Sequence, residues 1–184
     1  MSERLYFAYG SNINLDQMAH RCPDAEVIGP VTLNGYRLAF RAQSGVATII
    51  PASAKQVKGL LWRLTPACEQ SLDHYEGHPH FYYKDERINV MDRAGKEYKV
   101  MAYIMGREFE KEPHMPSAAY FLGIADGYKQ NGIPLKPLYA ALDECKLEVE
   151  AVREADSKRQ LRFGSHVYMG MQAGKRYKPK GYER

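Results

Sequence analysis

Two short segments, far apart in the chain, carry side chains that could do chemistry together. Tyr9-Gly10-Ser11-Asn12 follows the apolar run Leu5 to Ala8. A strand that breaks into such a turn presents backbone N–H groups with no Cβ at Gly10 to hold a ligand away. The Ser11 hydroxyl and the Asn12 amide add to this nest, which suits an anion or an oxyanion. The second segment is Leu72-Asp73-His74-Tyr75-Glu76-Gly77. It places a glutamate at the end of a predicted helix, just before the glycine that stops it. The negative pole of the helix, and any burial, raises the pKa of such a carboxyl. A glutamate tuned upward suits proton transfer near neutral pH. Donors in a turn and one placed carboxylate are the minimum equipment for acyl transfer without a metal.

Other chemistries compete for the same residues. From spacing alone, the plainer reading of Glu76 is an exposed helix end with no role. Ser11 with His20 as its base would make an amidase, although the flanks are not a Gly-x-Ser-x-Gly elbow. His74, Glu76, His78 and His80 are close enough in sequence to suggest a metal. Pro79, the helix stop and the lack of a second ligand cluster or a Cys-x-x-Cys pair argue against it. No Gly-x-Gly-x-x-Gly or Walker lysine supports a nucleotide. The expectation is an enzyme with no metal and no cofactor. Tyr82, Tyr83 and Tyr120 are candidate pocket hydroxyls, although a strand tyrosine more often edges a core.

The elements that must position these groups are legible as patterns. Leu5 to Tyr9 reads as a buried strand. Asn14 caps a helix from Leu15 to Arg21, with Gln17 at the capping-box position. Val27 to Leu33, Tyr36 to Phe40, Val46 to Ile50 and Val57 to Leu64 read as strands. Asn34-Gly35 is a hairpin signal between the first two, and Ser44-Gly45 marks a second turn. Thr65-Pro66 opens a helix as N-cap and first residue. Cys68, Leu72 and Tyr75 continue from Leu64 as an inward stripe, and Gly77 and Pro79 end it. Phe81 to Val90 and Glu97 to Ile104 form a hairpin pattern. Ser117 to Gln130 is a helix, and a last helix starts at Pro134 and runs toward Lys158. Strands with a few inserted helices, and no βαβ alternation, predict an α+β fold. The expected form is a small curved or closed mixed β-barrel with peripheral helices.

Composition sets the remaining bounds. At 184 residues and 45% hydrophobic, the chain can bury a core as one domain with an appendage. Mean hydropathy is −0.52, and no run is long and apolar enough to span a membrane. No secretory h-region precedes the first strand pattern. The odd set Cys22, Cys68 and Cys145 fits reduced thiols in the cytoplasm. The net charge of +4 is a tail property: residues 158–184 hold eight cations against Glu183, which leaves −3 for the rest. A solvated tail explains this more simply than nucleic acid or membrane binding, because no recognition motif accompanies it. Phe163, Val167, Tyr168 and Met169 in that tail could pack as a strand.

The quoted motifs, in order, resemble the γ-glutamylcyclotransferases, with their BtrG-like, AIG2-like barrel fold. The resemblance covers about residues 4–142. It runs from Leu5-Tyr6-Phe7-Ala8-Tyr9-Gly10-Ser11-Asn12 through Gly45-Val46-Ala47-Thr48-Ile49 and Gly59-Leu60-Leu61-Trp62. It continues with Leu72 to Gly77, Tyr83, Tyr103-Ile104-Met105, Pro116 to Tyr120 and Asn131-Gly132-Ile133-Pro134-Leu135. It implies Glu76 as catalytic acid/base. It implies a substrate site of Tyr6, Phe7, Ala8, Tyr9, Gly10, Ser11 and Asn12, with Tyr83 and Tyr120. The implied reaction is attack of a substrate's α-amino group on its own γ-glutamyl carbonyl, releasing 5-oxoproline and an amino acid or amine. A small-molecule γ-glutamyl partner is implied, and a homodimer is compatible with it. A non-catalytic small-carboxylate or protein-binding barrel is the alternative from another class. His78-Pro79-His80-Phe81 departs from the smaller residues expected there, which would reshape the leaving-group side. The implied division is a γ-glutamylcyclotransferase-like domain over 1–145 and a helical, basic extension over 146–184.

Overall fold

The apolar alternation of five segments closes them into a barrel. The computed structural model of the protein describes residues 4–173, with side chains up to residue 160. The strands are β1 (Arg4–Ala8), β2 (Glu26–Arg41), β3 (Val46–Leu64), β4 (Tyr82–Asp92) and β5 (Glu97–Met105). They follow the order β1-β3-β2-β4-β5 around a closed sheet. Closure joins β1 to β5 in parallel at Tyr6 and Met101, and every other pairing is antiparallel. A closed ring leaves no free sheet edge to protect. Phe7, Leu60, Leu61, Leu64 and Met101 are fully buried.

The helices are α1 (Leu15–Arg21), α2 (Pro66–Glu76), α3 (Ala118–Gln130) and α4 (Lys136–Ala173). Their caps are those expected. Asn14 accepts from Gln17 N, Thr65 from Cys68 N and Ser117 from Tyr120 N. Gly77 ends α2 in the left-handed conformation at φ 65°, which costs glycine nothing. The chain divides into two compact units, Met1–Lys146 and Leu147–Arg184.

The structure corrects several local expectations. Asn34-Gly35 is not a hairpin turn. β2 runs straight through it, and a register shift between Asn34 and Tyr36 absorbs Gly35 at φ 79°. Burial decides this, because Val31, Leu33, Leu38 and Phe40 on both sides must reach one core. The hairpin turn lies at residues 42–45, between the paired Arg41 and Val46. The Gln17 side chain does not close a capping box; it accepts from Arg21 Nη2 at 2.7 Å. Tyr75 is not part of the inward stripe. It is 48% exposed, with the Arg21 guanidinium 3.7 Å from its ring centroid. The last helix starts at Lys136 and extends to Ala173, so Phe163, Val167, Tyr168 and Met169 fall on a helix, not a strand. The final residues of the basic tail, 174–184, lie outside the described residues.

Candidate active site

One cavity collects groups from four strands, two helices and a 3-10 turn. Between β1 and α1 the chain makes a single 3-10 turn, Ser11–Ile13, closed by Ile13 N donating to Gly10 O. α3 presses onto this turn so closely that a Cβ at Gly127 would stand 2.6 Å from Asn14 N. Asn131 Nδ2 donates to Ile13 O at 3.0 Å, and Asn14 Nδ2 to Gly123 O at 2.9 Å. Trp62 Nε1, from β3, donates to Asn12 O at 3.0 Å. The turn is therefore held from outside the ligand-facing side, and its Ser11 and Asn12 side chains are buried.

Glu76 reaches this turn from the last residue of α2. Asn12 Nδ2 donates to Glu76 Oε1 at 2.8 Å and to the Tyr6 hydroxyl at 2.9 Å. Burial of the carboxyl pushes its pKa up to about 7, against the opposing effects of the Asn12 hydrogen bond and the Arg21 charge. One turn earlier on α2, Asp73 behaves in the opposite way. Burial alone would raise it, but bonds from Lys84 and from the Tyr103 hydroxyl at 2.6 Å hold it below the ordinary carboxylate range. Two carboxyls on one helix end thus have opposite assignments. Asp73 stays ionised and anchors α2 to β4 and β5, while Glu76 is poised to exchange a proton.

The cavity is small, about 30 Å³, lined by Tyr6, Tyr9, Gly10, Ser11, Asn12, Ala47, Glu76, Tyr82, Tyr103 and Tyr120. Burial holds all five phenols above their usual range, so each is neutral near pH 7. The Tyr82 hydroxyl donates to Ala47 O at 2.6 Å, and the Tyr120 hydroxyl accepts from Ala47 N at 3.1 Å. Tyr9 donates to the Tyr103 carbonyl. The Tyr6 and Tyr120 hydroxyls accept, and each keeps its own proton for a further acceptor.

The structure brings together Tyr6, Tyr9, Gly10, Ser11, Asn12, Glu76 and Tyr120 from the sequence-derived set. Phe7 and Ala8 are wholly buried and do not line the cavity. Tyr83 does not line it either. It is 39% exposed on a separate cleft with Tyr36, Asp85 and Arg107. Its neighbour Tyr82 faces the site instead, because successive strand residues point to opposite faces of the sheet. Ser11 Oγ accepts from Arg21 Nη1 at 3.1 Å, and His20 is exposed and does not line the cavity. His74 and His80 are exposed, and His78 Nδ1 lies 3.3 Å from Tyr82 O. Tyr82, a candidate from the sequence, lines the cavity, and Ala47, Tyr103 and Arg21 join the site from positions that local patterns do not mark.

Known proteins resemble this chain over most of its length. Residues 6–122 match the family described as gamma-glutamyl cyclotransferase, AIG2-like. The mouse gamma-glutamylcyclotransferase is 34% identical over 139 residues, 71% of this chain and 72% of its own length. The human gamma-glutamylcyclotransferase is 32% identical over 141 residues, 72% of this chain and 73% of its own. A solved structure of a gamma-glutamyl cyclotransferase superposes with a TM-score of 0.68 at 31% identity, covering 76% of this chain and 86% of that one.

Proposed function

The chain belongs to the gamma-glutamyl cyclotransferase, AIG2-like family, and we propose that it cyclises a γ-glutamyl compound to 5-oxoproline with Glu76 as the proton-transfer residue. The observation that carries this reading is the Glu76 carboxyl, hydrogen-bonded by Asn12 and facing the 3-10 turn across one tyrosine-lined cavity, with desolvation pushing its pKa up to about 7.

The reaction needs no group from outside the substrate to form its new bond. The α-amino nitrogen attacks the γ-carbonyl carbon, a five-membered lactam closes, and the amine on the γ-carbonyl departs. At neutral pH the amine begins as an ammonium and is not nucleophilic. Glu76 takes the ammonium proton and returns it to the departing nitrogen; the second proton, shed by the ring nitrogen as the lactam forms, leaves with the amine as its ammonium, so the proton count balances over one turnover. A base with a pKa near the working pH serves both halves of this shuttle. The oxyanion formed at the γ-carbonyl needs donors. Gly10, Ser11 and Asn12 at the start of the 3-10 turn, and Tyr6 and Tyr120, whose hydroxyls keep their own protons, line the same cavity as Glu76 and can serve that purpose. Both reacting groups lie in one molecule, so holding the folded conformer supplies much of the rate.

Three buried cysteines without a disulfide support a reducing, cytoplasmic setting. No helix among the described residues is long and apolar enough to cross a membrane.

The test is a screen of γ-glutamyl amino acids and amines, with mass-spectrometric detection of the product. 5-Oxoproline is expected. Release of free glutamate would mean hydrolysis and overturn the reading. Glu76→Gln keeps the shape and the Asn12 bond but removes the base. Its turnover should fall roughly 10²–10⁴-fold while substrate still binds. Near-normal turnover by that variant would remove Glu76 from the mechanism.

A further inference from the structure

The orientation of the Asn12 amide decides how Glu76 is held. Its two ends differ by one hydrogen-bonding sense: the oxygen accepts and the nitrogen donates. Arg21, the last residue of α1, donates from Nη1 to Asn12 Oδ1 at 2.6 Å and to Ser11 Oγ at 3.1 Å. Its Nη2 donates to Gln17 Oε1 at 2.7 Å, and its guanidinium lies over the Tyr75 ring at 3.7 Å. A guanidinium has no acceptor. The atom of Asn12 facing it must be the oxygen, so the NH2 group must face Tyr6 and Glu76. Gln17 and Tyr75 hold the guanidinium in place from α1 and α2.

We propose that Arg21 is a positioning residue for Glu76, locking the Asn12 amide so that it donates to the carboxylate. The proposal rests on the proton-transfer reading of Glu76. The groups facing that carboxyl are Tyr6 from β1, Tyr9 just after it, Tyr82 from β4, Tyr103 from β5, Tyr120 from α3 and Arg21 from α1. The phenols are neutral, so of this set Arg21 alone carries charge. Both the locked donor and the positive charge favour the ionised form that accepts the ammonium proton. Arg21 makes no hydrogen bond to the carboxylate and does not itself line the cavity. Its positioning effect is routed through Asn12.

The test compares pH profiles of kcat/KM for wild type, Arg21→Met, Arg21→Gln and Arg21→Lys. Loss of Arg21 should move the acid limb of the profile to higher pH by about one unit, the low end of the effect of a nearby opposite charge. At pH 7 Arg21→Met should lose about fivefold, and it should recover nearly fully at about pH 9. Arg21→Gln retains a donor for Asn12 Oδ1 without the charge, and Arg21→Lys retains the charge; each should fall between. Combining Arg21→Met with Asn12→Ala should add little to Asn12→Ala alone, because both break one chain of contacts. A loss that is equal at every pH, or full additivity with Asn12→Ala, would overturn the proposal. NMR titration of the Glu76 carboxyl carbon in wild type and Arg21→Gln reads the same shift without substrate. A shifted titration in a protein that makes no 5-oxoproline would support the relay and sink the assigned reaction. An unshifted titration in an active enzyme would sink the relay alone.

Discussion

At the scale of single residues, the site is a problem of proton affinity. Asp73 and Glu76 lie three positions apart on the same helix end, yet their carboxyls are driven in opposite directions. The difference is in burial, which is far deeper for Glu76, and in partners. Asp73 has Lys84 and the Tyr103 hydroxyl, and Glu76 has one neutral amide. This has a cost in stability. The Glu76 carboxyl titrates at about 7 in the folded chain against an ordinary 4.5. Between those values the folded state binds more protons than the unfolded state, so stability falls as pH rises through the window. The full effect is roughly 3 kcal/mol, present below about pH 4.5 and lost above about pH 7. Glu76→Gln cannot ionise. It should unfold at higher denaturant than wild type at about pH 8, and equally near pH 4.5. Urea titrations at the two pH values check this, and equal stability at about pH 8 would contradict it.

At the scale of elements, strand alternation and close helix contacts place the groups. β4 presents Tyr82 inward and Tyr83 outward. Tyr82→Phe removes the bond to Ala47 O and leaves a buried carbonyl without that donor, which should cost about 1–3 kcal/mol. Tyr83→Phe should change stability by no more than about 0.5 kcal/mol. Chemical denaturation of the two variants, side by side, reads the difference. α3 supports the turn through Gly127, where a Cβ would meet Asn14 N at 2.6 Å. Gly127→Ala must push α3 away from the turn. We expect a loss of about 1–3 kcal/mol and, with Asn12 displaced, a fall in turnover larger than at other α3 positions. A Gly127→Ala variant with unchanged turnover and unchanged melting would show that the turn does not depend on this contact.

At the scale of the whole molecule, the site belongs entirely to the unit Met1–Lys146. Every lining residue lies within residues 6–120. The buried part of α4 that serves this unit includes Leu138, Ala141 and Cys145. The charged residues from 158 onward are remote in sequence from all of these. We therefore expect truncation after Asp156 to leave the circular dichroism per residue of the barrel and the rate of 5-oxoproline formation within about twofold of the full chain. A truncated protein that keeps its fold and loses turnover would assign the basic segment a part in the reaction.

Local signals in the chain were enough to define the caps at Asn14, Thr65 and Gly77, the α+β class and the two segments that meet at the site. Each of those depends on a few neighbouring residues and on short-range sterics or hydrogen bonding. Long-range packing decided the rest. Asn34-Gly35 has the chemistry of a turn, but burial on both sides of it makes it a bulge. Tyr82 and Tyr83 are alike as residues, and only the closed sheet tells which faces the cavity. Arg21 and Tyr103 carry no local mark of a site. They reach it because α1 and β5 are brought beside α2 by barrel closure. The raised affinity of Glu76 for its proton follows the same rule. The helix end is visible in the sequence, but desolvation is the larger cause, and only the folded walls of tyrosine supply it.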